Sequence, residues 1–131
     1  MVRFLLKNGA SVHWRDLDRR TALHIAAMIG DRELVRYPPD HGAKIEAVDI
    51  HGSTPLIHAA MARRVSMIQL LLDRGADINR ANSAGRTPLH VAVLCEDRPS
   101  IQVLVKHGAN TQVVDHSKQT PNNMAVNSSS N

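Results

Sequence analysis

Eight histidines, one cysteine and a few close carboxylate pairs are the residues of this chain that could do chemistry. A zinc site needs three or four converging ligands, and the usual catalytic pattern sets two histidines four apart on one helix face. His13, His24, His41, His51, His58, His90, His107 and His116 contain no HExxH and no His-x3-His pair. Cys95 is followed by Glu96 and Asp97, two negative charges that disfavour the thiolate a nucleophile requires. No serine stands in GxSxG, and neither a GxxxxGK[ST] phosphate loop nor GxGxxG is present. Asp16 and Asp18 sit among turn residues and read as turn and cap groups rather than an acid–base pair. The expectation is therefore no catalytic residue, no metal and no cofactor: not an enzyme.

The elements that would have to position such groups are equally telling. The 131 residues are 43% hydrophobic and 21% charged, with one Trp, one Tyr and one Phe. That fits one domain with a core of Leu, Ile, Val, Ala and Met, and it disfavours an aromatic-lined pocket for a small-molecule substrate. A single cysteine excludes an intrachain disulfide and suits a reducing compartment. No stretch reaches the ~20 apolar residues of a membrane span. The start, MVRFLLKNGASVHWRDLDRR, lacks signal-peptide character. Together these predict an intracellular protein, cytoplasmic or nuclear, with no membrane contact. The sequence pI is near 9.8, yet the excess charge is split: +3 over 1–20, −2 over 21–53, +3 over 54–86 and zero over 87–131. An interrupted field and the absence of stacking aromatics argue against nucleic acid.

A period of 33 residues organises everything. Thr21, Thr54, Thr87 and Thr120 recur at that interval, as do Gly9, Gly42, Gly75 and Gly108, each followed by alanine. Asp16, Asp49, Asn82 and Asp115 keep the same register. From Thr87 the run TPLHVAVLC predicts a short helix with Thr87 as N-cap and Pro88 in its first turn. A second helix is expected over VSMIQLLLD, Val65 to Asp73, closed by Gly75 as a left-handed residue. The following ADINRANSAGR reads as an extended hairpin-like loop. Such units cannot bury an apolar face alone and must stack. Ala26, Ala27, Ala59, Ala60 and Ala92 mark where adjacent helices should come closest.

The run Leu71-Leu72-Asp73-Arg74-Gly75-Ala76-Asp77-Ile78-Asn79 leading to Thr87-Pro88-Leu89-His90 closely resembles the ankyrin repeat. The resemblance covers residues 1–126 and implies an all-α solenoid of stacked helix–turn–helix units with projecting hairpins. On this reading 1–20 is a partial unit, 21–53, 54–86 and 87–119 are full repeats, 120–126 is a decayed cap and 127–131 a polar tail. It further implies structural hydrogen bonds from His24 and His90 into the hairpins. The incomplete first unit suggests a segment of a longer array.

Several positions depart from the family pattern. Pro38 and Pro39 replace the buried Leu pair of the second helix, which should be cut short near Arg36; Leu at both should raise the melting temperature. Ile57 stands where the motif has His, with His58 beside it. Arg63 and Glu96 replace the glycine between helices, kept only as Gly30. Pro99 follows the expected N-cap Asp97. Arg19 replaces the loop glycine kept as Gly52 and Gly85, so the first hairpin should be distorted.

Such a stack presents a long concave surface, and the resemblance implies a scaffold that binds another protein through hairpin tips and first-helix ends. By register the central contacts are Leu17, Ile50, Met28 and Met61, with His51 and Ser83 on the tips and Arg20 and Arg86 as rim charges. Val48, Val114, Ile29, Leu94 and Cys95 extend the same face, and Trp14 could anchor the first tip. Apolar residues on solvated loops mark interfaces. Asn79 resembles ankyrin asparagines that are hydroxylated. The alternative is a targeting or autoinhibitory segment of a larger enzyme, transporter or ligase adaptor; a plain structural spacer would need no apolar strip.

Overall fold

A computed structural model of the chain describes residues 15–31 and 45–121. Among them are five helices: α1 (Ala22–Ile29), α2 (Pro55–Met61), α3 (Val65–Asp73), α4 (Pro88–Leu94) and α5 (Arg98–Lys106). No strand occurs among these residues; Arg15 and Thr21 form one isolated antiparallel bridge. The expected shortening near Pro38-Pro39, the opening second helix, Trp14 and most of the decayed cap fall outside the described residues.

The sequence dictates where each inner helix starts. Thr21, Thr54 and Thr87 hold extended backbone and accept the N–H of His24, Ile57 and His90 at 3.3, 3.4 and 3.4 Å. Pro55 and Pro88 occupy the first turn, where a missing N–H leaves no bond unmade. The ends are fixed by left-handed residues. Past α3, Gly75 takes φ +93°, donating to Leu72 O while Ala76 donates to Leu71 O, both at 3.0 Å. Gly108 and Ala109 repeat this past α5. The same closure ends α2 and α4, but with Arg63 (φ +59°) and Glu96 (φ +54°) in the left-handed place.

Stacking follows the small residues. Helix α1 packs on α2, and α2 on α4, giving an inner layer; α3 and α5 pack on each other behind it, against α2 and α4 respectively. Ala26, Ala27, Ala59, Ala60 and Ala92 have no solvent exposure, so these helices approach closely. Leu23, Leu56, Ile57, Met67, Ile68, Leu71 and Leu104 fill the rest of the core.

One expectation needs correcting, and a second, the N-cap at Asp97, holds in position. The first hairpin is not distorted by Arg19, which adopts φ +61° and donates to Asp16 O at 2.9 Å, as Gly52 and Gly85 do to Asp49 and Asn82. The turn is set by its carboxylate, and arginine takes the glycine conformation at a cost in strain. Asp97 holds the N-cap place of α5 but accepts no capping N–H; its carboxylate is bonded by the Ser100 hydroxyl instead.

Candidate functional site

Each hairpin is built around one in-register side chain. Asp16 Oδ1 accepts the N–H of Asp18 and Arg20 at 2.9 and 2.8 Å. Asp49 takes those of His51 and Ser53, both at 2.9 Å, and Asp115 takes those of Ser117 and Gln119. Asn82 does the same with an amide oxygen for Ala84 and Arg86. Successive hairpins are tied by backbone: Ile50 N–H donates to Asp18 O, Ser83 to His51 O and His116 to Ala84 O, at 3.0, 2.9 and 2.9 Å. The tips therefore form one row.

Histidines fasten this row to the inner helices. The Thr21 N–H donates to His24 Nδ1 at 3.0 Å, which leaves the proton on Nε2, and Nε2 donates to Ser53 O at 2.8 Å. His90 repeats the arrangement between Thr87 and Gln119 O. Burial pushes the His24 imidazole below its ordinary value; the Ser53 carbonyl opposes this, and the nearby His58 ring adds to it. In the middle unit Ile57 is buried apolar filling, and His58, one residue later, donates from Nε2 to Asp49 Oδ2 at 2.8 Å. His58 Nδ1 is buried without a hydrogen-bond partner, and the ring stands edge-on to His24 at 5.1 Å between centroids. Burial alone would raise the Asp49 carboxyl, but the Ser53 N–H, the His58 ring and the His51 N–H outweigh it and hold it low.

This buried Asp49–His58 pair was missed from sequence as a unit. The signal was the displaced histidine beside Ile57, in register with nothing. Its geometry is that of a fastener, since both Asp49 oxygens are occupied by donors from the chain itself. Among the described residues no group of three or more His, Cys, Asp or Glu could hold a metal.

The expected contact residues fall as follows. Leu17 is fully exposed, and Ile50 and Met61 are 50% and 53% exposed. Ile29, Leu94 and Val114 are comparably open, and His51 and Ser83 are exposed. A cavity of about 340 Å3 between the second and third hairpins and α2 is lined by His51, Ser83, Ala84, Met61, His58 and Asp49, among others, so tip residues and an inner-helix end share one surface. Arg20 is half-buried and paired with Asp16 at 2.8 Å, and Arg86 with Asp115 at 3.4 Å. Met28 is half-buried, not open: Arg64 reaches across the end of α1 to donate to Met28 O at 3.0 Å. Val48 is also half-buried, its carbonyl bonded by the Arg15 guanidinium at 3.0 Å. Cys95 lies half-buried with its thiol 3.9 Å from Met61 O. Asn79 is exposed away from the tips, its Oδ1 accepting the Asn110 N–H at 2.8 Å.

A family model described as ankyrin repeats in three copies matches residues 1–82 and again 41–115. The chain belongs to the ankyrin-repeat family. Ankyrin repeats are generally protein–protein interaction modules, and ankyrin domains are typically non-enzymatic. A comparison with curated proteins finds no match. Among the described residues, no helix of this ankyrin stack is long and apolar enough to cross a membrane.

Proposed function

We propose that this ankyrin stack is a non-enzymatic binding module that holds a partner protein against its hairpin tips and inner-helix ends. One observation carries this reading: Leu17, Ile50 and Met61, three large apolar side chains, are at least half exposed on the row of tips and the α2 end. Water-facing loops gain nothing from such residues, and a partner that covers them does. Ile50 and Met61 lie at the centre, with His51 and Ser83 beside the cavity and Arg20 and Arg86 as rim groups already paired to the stack. Met28 contributes only its open part. For Asn79 the reading is a modifiable loop side chain, which mass analysis of the protein from its host tests as a gain of one oxygen atom.

The test is affinity capture from a host lysate with the chain and with a Leu17→Glu, Ile50→Glu double variant of equal melting temperature. A protein retained by the first and lost by the second is the expected result. Equal retention by both moves the interface off the tips and overturns the reading.

A further inference from the structure

Two features of the same face narrow the chemistry of the partner, an inference that rests on the binding reading above. The first is the cavity beside Met61, where Met61 and Ala84 offer apolar wall and Ile50 stands exposed on the adjoining tip. The second is the left-handed residue of each hairpin turn, which falls at 19, 52, 85 and 118 with φ of +61°, +72°, +78° and +63°. The inner two are glycines in crowded turns: a Cβ at Gly52 would lie 2.8 Å from Ser83 Oγ and 3.0 Å from Ser83 N, and one at Gly85 2.7 Å from His116 Cδ2 and 3.0 Å from His116 N.

The outer two are Arg19 and Lys118, both exposed and both in a conformation strained for any residue with a Cβ. Neither makes an ion pair among the described residues, and the same holds for Arg15 on the first hairpin and Arg63 just beyond Met61. The hairpin acids Asp16, Asp49 and Asp115 are each taken up by two turn amides and a cationic or imidazole side chain. Asp18 is already 3.4 Å from Arg20. Strain held at an exposed position points to use of the side chain. Because Arg20 is shared between Asp16 and Asp18, the five cations of the row (Arg15, Arg19, Arg20, Arg86 and Lys118) exceed its four carboxylates by one, and the cavity beside Met61 lies between the two outer cations.

We propose that the partner is an acidic, apolar peptide segment that crosses the four hairpins, seats one apolar side chain in the cavity beside Met61, and sets carboxylates against Arg19 on one side and Lys118 on the other. Opposite charge steers and registers such a segment while the apolar anchor supplies affinity. Phosphates of single-stranded nucleic acid would satisfy the cations, but among the described residues the face carries no Trp, Tyr or Phe on which bases could stack.

The test selects a displayed library of random peptides, about a dozen residues long, against the full chain. The expected peptides carry Asp or Glu on both sides of an apolar residue and bind more weakly as salt rises. Their affinity should fall about tenfold with Met61→Glu and about three- to tenfold with the Arg19→Gly, Lys118→Gly pair. That pair should also raise the melting temperature, because glycine relieves the strain. Opposite signs in binding and stability separate a lost contact from a damaged fold. Peptides without acidic enrichment that still require Met61 overturn the acidic class but leave the binding face standing. Peptides indifferent to both Ile50→Glu and Met61→Glu overturn the face itself. An empty selection, or tighter binding of a single-stranded oligonucleotide than of any peptide, overturns the proposal.

Discussion

Arg63 and Glu96 sit at φ +59° and +54°, closing α2 and α4 where Gly30 closes α1. Left-handed backbone costs an L-residue about 1 kcal/mol or more, partly offset because glycine loses more freedom on folding. Arg63→Gly and Glu96→Gly should each stabilise the chain by about 0.5–1 kcal/mol, read as a higher urea midpoint. Gly75→Ala should do the reverse by about 1 kcal/mol, although nothing lies within 4 Å of the added Cβ, because the conformation itself is the obstacle.

Protonation acts at the same scale. Burial keeps the folded His24 below the ordinary histidine value of about 6.5, so the unfolded chain binds a proton that the folded chain refuses. Its contribution is complete above about pH 6.5 and is lost as pH falls toward the depressed value. Asp16, Asp49 and Asp115 are held below the carboxyl value of 3.8, so their contribution is complete above that pH and lost below it. Urea midpoints should therefore drop between about pH 7.5 and 5.5, and drop again below about pH 4. A flat profile over the first interval would contradict the His24 assignment.

At the scale of an element, the hairpin is a turn wrapped round one oxygen. Asn82 shows that an amide oxygen serves as well as a carboxylate for the two turn N–H groups. Asp49→Asn should then keep its hairpin, but its amide NH2 replaces the oxygen that His58 Nε2–H donates to, so the imidazole must move its proton to Nδ1 and accept instead, at about 1–2 kcal/mol. Asp49→Ala removes the turn acceptor as well and leaves His58 without a partner, for about 2–4 kcal/mol. Thermal melts of both variants, with amide exchange at Ser53 and His51 marking the turn, check the difference. These hairpins, the threonine N-caps and the end of α3 were legible because each depends on a residue that recurs every 33 positions. The Asp49–His58 pair was not, since it is an offset from the period rather than part of it. The intact Arg19 turn was misread for a related reason: the glycine pattern marks the easiest residue for the conformation, while the carboxylate makes the turn. Of the candidate site, the exposure of Leu17, Ile50 and Met61 follows the register, but the bond to the Met28 carbonyl comes from Arg64, a neighbouring unit's side chain. The cavity beside Met61 likewise depends on how two hairpins are spaced, which no single repeat encodes.

At the scale of the whole molecule, each unit touches only its neighbours, so stability is a sum of units and interfaces rather than of one shared core. Helix α2 has packing partners in α1, α3 and α4, whereas α5 is held by α4 and α3. Leu71 of α3 and Leu104 of α5 occupy the same register and are both fully buried. Leu→Ala at either removes the same atoms and should cost about 2–5 kcal/mol within its unit. The consequences for the rest of the stack should differ. Leu71→Ala weakens the unit that joins α1 to α4, so hydrogen exchange should accelerate in α2 and α4 alike and the melt should broaden or split. Leu104→Ala loosens one side of the stack, so exchange should accelerate in α5 and the hairpin after it while α1 and α2 keep their protection. Equal acceleration everywhere in both variants would mean a single cooperative unit, and the nearest-neighbour picture would fail. If it holds, the cavity between the second and third hairpins lies beside the most protected helix, so the binding face is held rigid where the apolar anchor is proposed to enter.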